Sequence, residues 1–110
     1  MSFVRGDIHW VAFPDRVPRG SEIEKQRPCI IVSLTRVNDI RTTVIVVPLT
    51  TGSRVHAPIV IPIPSAGGDS KAVCDQITAV DRRRLGNKIG SLSTAELRSL
   101  EESLSKVLGL

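Results

Sequence analysis

The sequence predicts a mainly β fold with an α component (α+β): a small antiparallel barrel of curled strands, followed by an amphipathic C-terminal helix. Short β-branched segments alternate with turn residues over the first two thirds of the chain, and leucines recur at helical spacing in the last segment. The chain has 110 residues, of which 41% are hydrophobic. This is enough for one modest core, so we expect a single domain over residues 1–110.

Five segments rich in β-branched residues are bounded by Gly, Pro, Asn, Asp or Ser. We predict strands at residues 7–13, 28–34, 42–49, 58–63 and 72–80. Most connections between them are too short for a crossover helix, so the sheet should be largely antiparallel. Because proline cannot donate to a strand ladder, Pro48, Pro58, Pro62 and Pro64 predict edges, bulges or strand ends.

The C-terminal helix has a clear beginning and a clear apolar face. Leu97, Leu100 and Leu104 fall on one side of a helix. Ser93, with Glu96 three residues later, forms the pattern of a capping box, so we expect the helix to begin there. A short helical turn at residues 81–85, ended by Gly86 and Asn87, and a short strand at 88–92 should precede it.

The composition excludes several classes of protein. Lys and Arg number 15 against 11 Asp and Glu, and the resulting net charge of +4 is a weak indication of a polyanionic partner. Only 3% of the residues are aromatic, too few for a sheet that stacks several bases. No apolar run approaches the roughly 20 residues of a membrane span, and the N-terminus lacks a signal-peptide pattern. We therefore expect a cytoplasmic protein with no membrane partner.

The two cysteines do not have the spacing of a metal or redox site. Cys29 and Cys74 lie far apart, and neither belongs to a C-x-x-C pair. We expect both to be reduced thiols buried in strands, and we expect the protein to use no metal and no cofactor. Two longer polar segments, residues 14–26 and 50–56, are loops on which functional side chains are expected.

Several short motifs occur in an order that resembles a known family. They are Arg5-Gly6-Asp7-Ile8, Trp10-Val11-Ala12-Phe13, Gly20-Ser21-Glu22, Arg27-Pro28, Val46-Val47-Pro48-Leu49-Thr50, Cys74-Asp75-Gln76-Ile77, Val80-Asp81-Arg82, Arg84-Leu85 and Lys88-Ile89-Gly90. Over nearly its whole length the chain resembles the MazF/PemK ribonuclease toxins of bacterial type II toxin-antitoxin systems. One departure is visible: residues 14–19 look longer than the usual family connection, which leaves the sequence preference open.

The resemblance implies an SH3-like barrel, a homodimer and metal-independent, sequence-selective cleavage of single-stranded RNA. Attack by the 2′-hydroxyl would give 2′,3′-cyclic phosphate and 5′-hydroxyl ends, inhibiting translation and growth until a cognate antitoxin neutralises the toxin. The family's catalytic Arg, Thr and acidic residue fall on Arg27, Thr50 and Glu22, and its RNA-facing aromatic residue falls on Phe13. The polar loops supply further candidate RNA-binding residues: Arg19, Ser21, Thr51, Arg54 and His56.

The chemistry of the Arg27, Thr50 and Glu22 side chains predicts a different catalytic role for each of them. Arg27 offers a fixed fork of donors for two phosphate oxygens, and it is expected to act electrostatically because a guanidinium does not deprotonate in proteins. Thr50 is expected to orient a reacting oxygen rather than to remove a proton. Glu22 is either the general base or an ion-pair partner of Arg19 or Arg27, and both interpretations stay open.

For several other residues, a structural role is the alternative to a functional one. His9 and His56 could form an acid and base pair, but no partner motif supports it. In the run Arg82-Arg83-Arg84, successive residues point in different directions, so one arginine is expected to pair with Asp81 or Asp75. Trp10 is expected in the core. Phe13, at a strand end, is the better candidate for stacking on a base.

Two other functions remain compatible with the same fold. One is a CcdB-like toxin that poisons a topoisomerase without cutting RNA. The other is a nucleic-acid-binding module without activity. Arg27, Thr50 and the Gly20-Ser21-Glu22 segment favour the nuclease, because a gyrase poison does not need these residues at these positions.

Overall fold

The computed structural model describes residues 2–14 and 24–110. The strands are β1 (Asp7–Pro14), β2 (Glu24–Ile31), β3 (Thr43–Thr50), β4 (Val60–Pro62), β5 (Lys71–Val73), β6 (Thr78–Asp81) and β7 (Leu85–Ser91). The helices are α1 (Thr35–Ile40) and α2 (Thr94–Leu108), and single 3₁₀ turns occupy Pro64–Ala66, Cys74–Gln76 and Arg82–Arg84. In the described part of the chain, neither helix is long and apolar enough to cross a membrane.

The strands form one antiparallel sheet in the order β4-β5-β3-β2-β1-β7, and β6 pairs with β3. Strand β3 organises the sheet because it pairs with β2 along one edge and with β6 and then β5 along the other. The predicted antiparallel strands and C-terminal helix are confirmed. Among the described strands, no pairing joins β4 to β7, so the curled sheet stays open and does not close into a barrel.

Both faces of the central strands are buried. Residues of β2 and β3 alternate between two apolar clusters: Ile30 and Val47 lie in one, and Ile31 and Val46 lie in the other. Since side chains alternate along a strand, this two-sided burial explains the continuous β-branched runs in the sequence. Helix α2 covers the first cluster, which includes its residues Leu100 and Leu104.

Helix α2 begins as predicted. The Ser93 side chain accepts a hydrogen bond from the Glu96 N–H at 3.1 Å, and the Glu96 carboxylate accepts one from the Ser93 N–H at 2.8 Å. The same carboxylate accepts hydrogen bonds from the backbone and side chain of Ser65. Partial burial opposes ionisation of this group, but the hydrogen bonds from Ser65 and Ser93 outweigh it and lower the pKa of Glu96 to about 2. Glu96 therefore joins α2 to the 3₁₀ turn at Pro64–Ala66.

Two predicted strands differ from the structure, and one helix was not foreseen. The predicted strand at 28–34 begins earlier, at Glu24, and ends at Ile31, so residues 24–26 belong to a strand and not to the polar loop. The predicted strand at 72–80 is interrupted by the 3₁₀ turn Cys74–Gln76, which separates β5 from β6 and places Cys74 outside a strand. Helix α1 was not predicted.

The turn and strand before α2 follow the prediction in part. A 3₁₀ turn at Arg82–Arg84 confirms the short helical turn, and the Asp81 side chain caps it by accepting from the Arg83 N–H. Gly86 and Asn87 were expected to end this turn, but β7 already begins at Leu85 and contains both.

Candidate functional site

An open groove of about 870 Å³ lies along β1, β2, β3 and β6. It is lined by Phe13, Lys25, Arg27, Pro48, residues 75–81 and Arg84. Strand alternation explains which side chains face it. Val11 pairs with Arg27, and both Val11 and Cys29 belong to the second apolar cluster. Phe13 lies two residues from Val11, and Arg27 lies two residues from Cys29. Both side chains are therefore on the face of the sheet that carries this cluster.

Arg27 lies within β2, and Thr50 is the last residue of β3. Pairing between the two strands ends at Cys29 and Pro48, so Arg27 and Thr50 each lie two residues beyond the last pair. Side chains two residues apart share a strand face, so Arg27 lies on the face of Cys29 and Thr50 on the face of Pro48. Arg27 and Pro48 both line the groove, and Thr50 follows Pro48 along the same strand face.

The Thr50 hydroxyl is oriented by the loop that follows it. Its Oγ1 accepts a hydrogen bond from the Gly52 N–H at 3.2 Å. Because a hydroxyl donates one hydrogen bond and has two lone pairs, Thr50 keeps its proton for a further acceptor. The predicted loop residues Thr51, Arg54 and His56 are all exposed on the segment that begins here.

The walls of the groove carry charges of both signs, with one more cationic side chain than carboxylates. Lys25, Arg27 and Arg84 line it together with Asp75 and Asp81. The ion pairs within the described residues do not include Arg27. Because Arg27 has no ion pair with these residues, its guanidinium can direct its planar set of N–H donors toward an anion in the groove.

The cysteines are buried thiols, as predicted. Burial raises the pKa of Cys29 to about 12, although the nearby positive charge of Arg27 acts in the opposite direction. Burial and, to a smaller extent, the charge of Asp75 raise the pKa of Cys74 to about 11. Both thiols therefore stay protonated near neutral pH and are poor nucleophiles. In residues 2–14 and 24–110, no three His, Cys, Asp or Glu residues form a metal-binding group.

The three consecutive arginines diverge, as the helical turn predicted. Arg83 pairs with Asp81, with Nε at 3.1 Å from Oδ1, which confirms the expected pairing. Hydrogen bonds from the Arg83 side chain and backbone lower the pKa of Asp81 to about 2. Arg82 turns away, donating to the Asn38 carbonyl at 2.9 Å and stacking 5.2 Å from the centre of the Phe3 ring. Arg84 reaches the groove.

The histidines have structural contacts. His9 is buried, its Nδ1 lies 2.9 Å from the Gly86 carbonyl oxygen, and its ring packs edge-to-face with Phe3. The His56 N–H donates to the Val60 carbonyl at 2.8 Å in the loop before β4. The ring contacts of His9 favour its structural interpretation, whereas the contact of His56 is made by its backbone and its side chain is exposed. The expectation of a core Trp10 is wrong, because that residue is 39% exposed.

Some predicted site residues fall outside the described residues: Arg19, Ser21 and Glu22. Conversely, the groove contains polar residues that the sequence did not single out as functional, namely Lys25, Gln76 and Thr78. Lys25 could have been found from its two-residue spacing from Arg27, which puts both on one strand face. Gln76 and Thr78 carry no comparable signal, because the turn that brings them to the groove lies inside a run that is typical of one strand.

Comparisons with known proteins agree with the fold. A family model described as PemK-like, MazF-like toxin of type II toxin-antitoxin system matches residues 4–108. The chain is 37% identical to endoribonuclease MazF9 of Mycobacterium tuberculosis over 115 residues, covering 96% of each protein. It is 28% identical to the endoribonuclease toxin MazF of Escherichia coli, covering 94% of this chain and 92% of that one.

A solved structure has the same fold. It is an endoribonuclease in complex with its cognate antitoxin from a Mycobacterial species, with a TM-score of 0.80 and 23% identity, covering 98% of this chain and 96% of that one. The family match spans nearly the whole chain. The protein therefore belongs to the PemK-like, MazF-like toxins of type II toxin-antitoxin systems.

Proposed function

We propose that this protein is an endoribonuclease toxin that cleaves single-stranded RNA at selected sequences. Its family membership and the names of its relatives support this activity. The observation that carries the proposal is a groove lined by Arg27, Phe13 and Pro48, with Thr50 two residues beyond Pro48 on the same strand face. A phosphodiester placed there would meet a cation, a hydroxyl and an aromatic face.

The proposed reaction uses the RNA's own 2′-hydroxyl. The 2′ oxygen loses its proton and forms a bond to the adjacent phosphorus, while the bond from phosphorus to the 5′ oxygen breaks. The leaving 5′ oxygen takes up a proton, so the products are a 2′,3′-cyclic phosphate and a 5′-hydroxyl. The nucleophile belongs to the substrate, so the proposal requires no metal and no cofactor.

Arg27 would stabilise the negative charge that develops on the phosphate oxygens. A guanidinium held in a cleft can contact two of these oxygens with parallel hydrogen bonds. By analogy with oxyanion holes, one such donor contributes about 10²–10³ in rate. Arg27 itself does not carry the proton, because a guanidinium remains protonated in proteins.

Thr50 would orient a reacting oxygen. The Gly52 N–H occupies one lone pair of Oγ1, and the remaining proton is available to a phosphate oxygen or to the 2′ oxygen. A hydroxyl of ordinary pKa is a poor base. The group that removes the 2′ proton is therefore another residue, and Glu22 remains the candidate, with an ion pair to Arg19 or Arg27 as its alternative role.

The RNA would extend from the groove across the loop after β3. Phe13 would stack on one base, because aromatic faces accept any base. Thr51, Arg54 and His56 are exposed on the loop next to Thr50 and would contact the strand there. Arg19 and Ser21 are proposed to complete the contacts from the segment before β2.

The proposed partners are RNA, a second copy of the chain and a cognate antitoxin. Solved relatives include an endoribonuclease bound to its cognate antitoxin and MazE-MazF complexes from Deinococcus radiodurans. An acidic or amphipathic antitoxin segment would suit a groove with three cationic side chains, Lys25, Arg27 and Arg84. We propose that the toxin acts as a homodimer in the cytoplasm.

The test is cleavage of a long defined RNA by the purified protein in EDTA. We expect discrete fragments whose 5′ ends are phosphorylated by a kinase without prior phosphatase treatment, together with cyclic phosphate at the 3′ ends. A matched RNA with 2′-deoxy substitution at the mapped cut sites should stay intact. Arrest of a topoisomerase without RNA cleavage would support the CcdB-like alternative, and salt-sensitive binding without products would support a binding module.

A further inference from the structure

A buried lysine lies directly across from Thr50. Lys71 on β5 is 8% exposed, and it pairs with Thr50 in the antiparallel ladder between β3 and β5. Opposed residues of such a ladder share one face, with their Cβ atoms about 5 Å apart. Lysine is rarely buried without a partner of opposite charge. The position of Lys71 beside the proposed reaction centre therefore requires an explanation.

The ammonium of Lys71 has only weak compensation. Its Nζ donates to the Asp69 carbonyl at 2.8 Å and lies 3.8 Å from the Asp69 carboxylate, whose side chain is 90% exposed. These are its polar contacts among the described residues. An ammonium has three donors, so two N–H groups remain for a ligand. An exposed carboxylate at this distance contributes little to holding the charge.

The orientation of the ammonium places it toward the loop after Thr50. Thr50 is the last residue of β3 and Lys71 is the first residue of β5, so the segment before β5 and the loop after β3 leave this antiparallel ladder at the same end. The ammonium bonds to residue 69, so it lies toward the side where Gly52 donates to the Thr50 hydroxyl. Gly52 is the second residue of the loop on which RNA contacts are proposed.

Strand β3 lies between β2, which carries Arg27, and β5, which carries Lys71. Lys71 is paired with Thr50, whereas Arg27 lies two residues beyond the last pair of the β2–β3 ladder. Neighbouring strands lie about 4.8 Å apart where they pair, so the backbones of Arg27 and Lys71, on strands separated by β3, are about 10 Å apart or more. One scissile phosphate cannot take both cations as its closest contacts at that spacing, but a strand of RNA has a second phosphate next to it.

We infer that the Lys71 ammonium binds an RNA phosphate adjacent to the scissile one and so positions the strand over Thr50. The inference rests on the proposed function, because it assumes that RNA occupies this face. A partly buried ammonium interacts with phosphate more strongly than an exposed one, since less water screens the charge. The alternative is that Lys71 only satisfies the Asp69 carbonyl and has no role in binding.

The first experiment measures binding of an uncleavable RNA, 2′-deoxy at the mapped cut site, over a range of salt concentrations. For Lys71→Met we expect affinity to fall about five- to tenfold at 0.1 M salt, and the slope of log K against log salt to weaken by about 0.7, the value for one phosphate contact on a single strand. Lys71→Arg should retain the slope. Lys106→Met, which removes an exposed lysine of α2, is the matched control and should change neither quantity. An unchanged slope in a folded Lys71→Met protein overturns the inference.

The second experiment removes the carboxylate beside the ammonium. Asp69 is exposed, so Asp69→Asn should fold normally, and it should tighten RNA binding about two- to threefold by leaving Lys71 more available. In the Lys71→Met background this gain should disappear, because the two changes act on one contact. Glu102→Gln, at an exposed site of α2, controls for the general loss of negative charge.

These outcomes separate the two proposals. If the unsubstituted protein does not cleave RNA, the proposed function fails. If it cleaves RNA but the Asp69→Asn gain is absent, or persists without Lys71, only the role of Lys71 fails. If Lys71→Met does not fold, the RNA affinity of Asp69→Asn alone tests the role of Lys71. If Asp69→Asn then binds RNA no more tightly than Glu102→Gln does, the inference is overturned.

Discussion

Cys29 on β2 and Pro48 on β3 form the last pair of their ladder, and beyond this pair β3 leaves β2 and joins β5. Pro48 has no N–H to donate, which suits a position where pairing changes. Beyond this pair, Arg27 stays paired with Val11 of β1 and Thr50 is paired with Lys71 of β5, so no ladder bond joins β2 to β3 at these residues. Strands that stop pairing leave room for a ligand between them, and this is where the RNA phosphate is proposed to bind.

Replacing Arg27 with Ala should separate catalysis from binding. We expect kcat to fall by at least about 10², because the guanidinium stabilises charge that is largest in the transition state, while RNA affinity changes only severalfold. Single-turnover cleavage and binding of the 2′-deoxy RNA measure the two quantities. Arg98→Ala, at an exposed position of α2, should leave both unchanged. Equal losses of rate and affinity would contradict the electrostatic role.

Replacing Thr50 with Val removes the hydroxyl and keeps the shape of the side chain. We expect a fall in kcat of about tenfold or more with little change in RNA affinity, since the hydroxyl orients a reacting oxygen. The lost acceptor for the Gly52 N–H should reduce the free energy of unfolding by only about 1 kcal/mol, because that group can turn to water. Thr50→Ser should restore most of the rate. Full activity of Thr50→Val would exclude the proposed role.

Phe13 is predicted to stack on a base. Phe13→Ala should weaken binding of single-stranded RNA by about 1–3 kcal/mol, whereas Phe13→Trp should bind as well as the original protein. The ring is also packed against the second apolar cluster, so thermal unfolding must be recorded for each variant. An affinity that follows stability alone, and not the presence of an aromatic ring, would rule out stacking.

Glu96 gives a pH dependence with a defined sign. Its pKa is lowered from 4.5 to about 2 in the folded protein, so its contribution to stability is fully present above pH 4.5 and is lost as the pH falls toward 2. Glu96→Gln should therefore lower the Tm by several degrees at pH 7, and its difference from the original protein should shrink between pH 4.5 and 2. Glu102→Gln is the control at an exposed position of the same helix. A difference that stays constant over this range would show that the carboxylate charge is not responsible.

Elements whose formation depends on near neighbours can be predicted from the order of the amino acids. Helix α2 begins at Ser93 because the capping box and the leucine spacing involve residues only three or four positions apart. Strand β1 follows in the same way from a local segment of β-branched and aromatic residues. The resemblance identified Arg27 and Thr50 as separate catalytic candidates on different segments. It gave no physical reason why the two residues should lie near each other.

Which segments lie beside one another depends on contacts between distant parts of the chain, and these are visible only in the folded protein. Helix α1 is six residues long, too short to form alone, and its Asn38 side chain donates to the Phe3 carbonyl from a distant part of the chain. The run at 72–80 is typical of one strand, yet it breaks because β5 and β6 pair with different parts of β3. The position of Lys71 beside Thr50 likewise comes from the register of the β3–β5 ladder. Registers are set by packing between segments far apart in the chain, and that energy is not visible in any local pattern of residues.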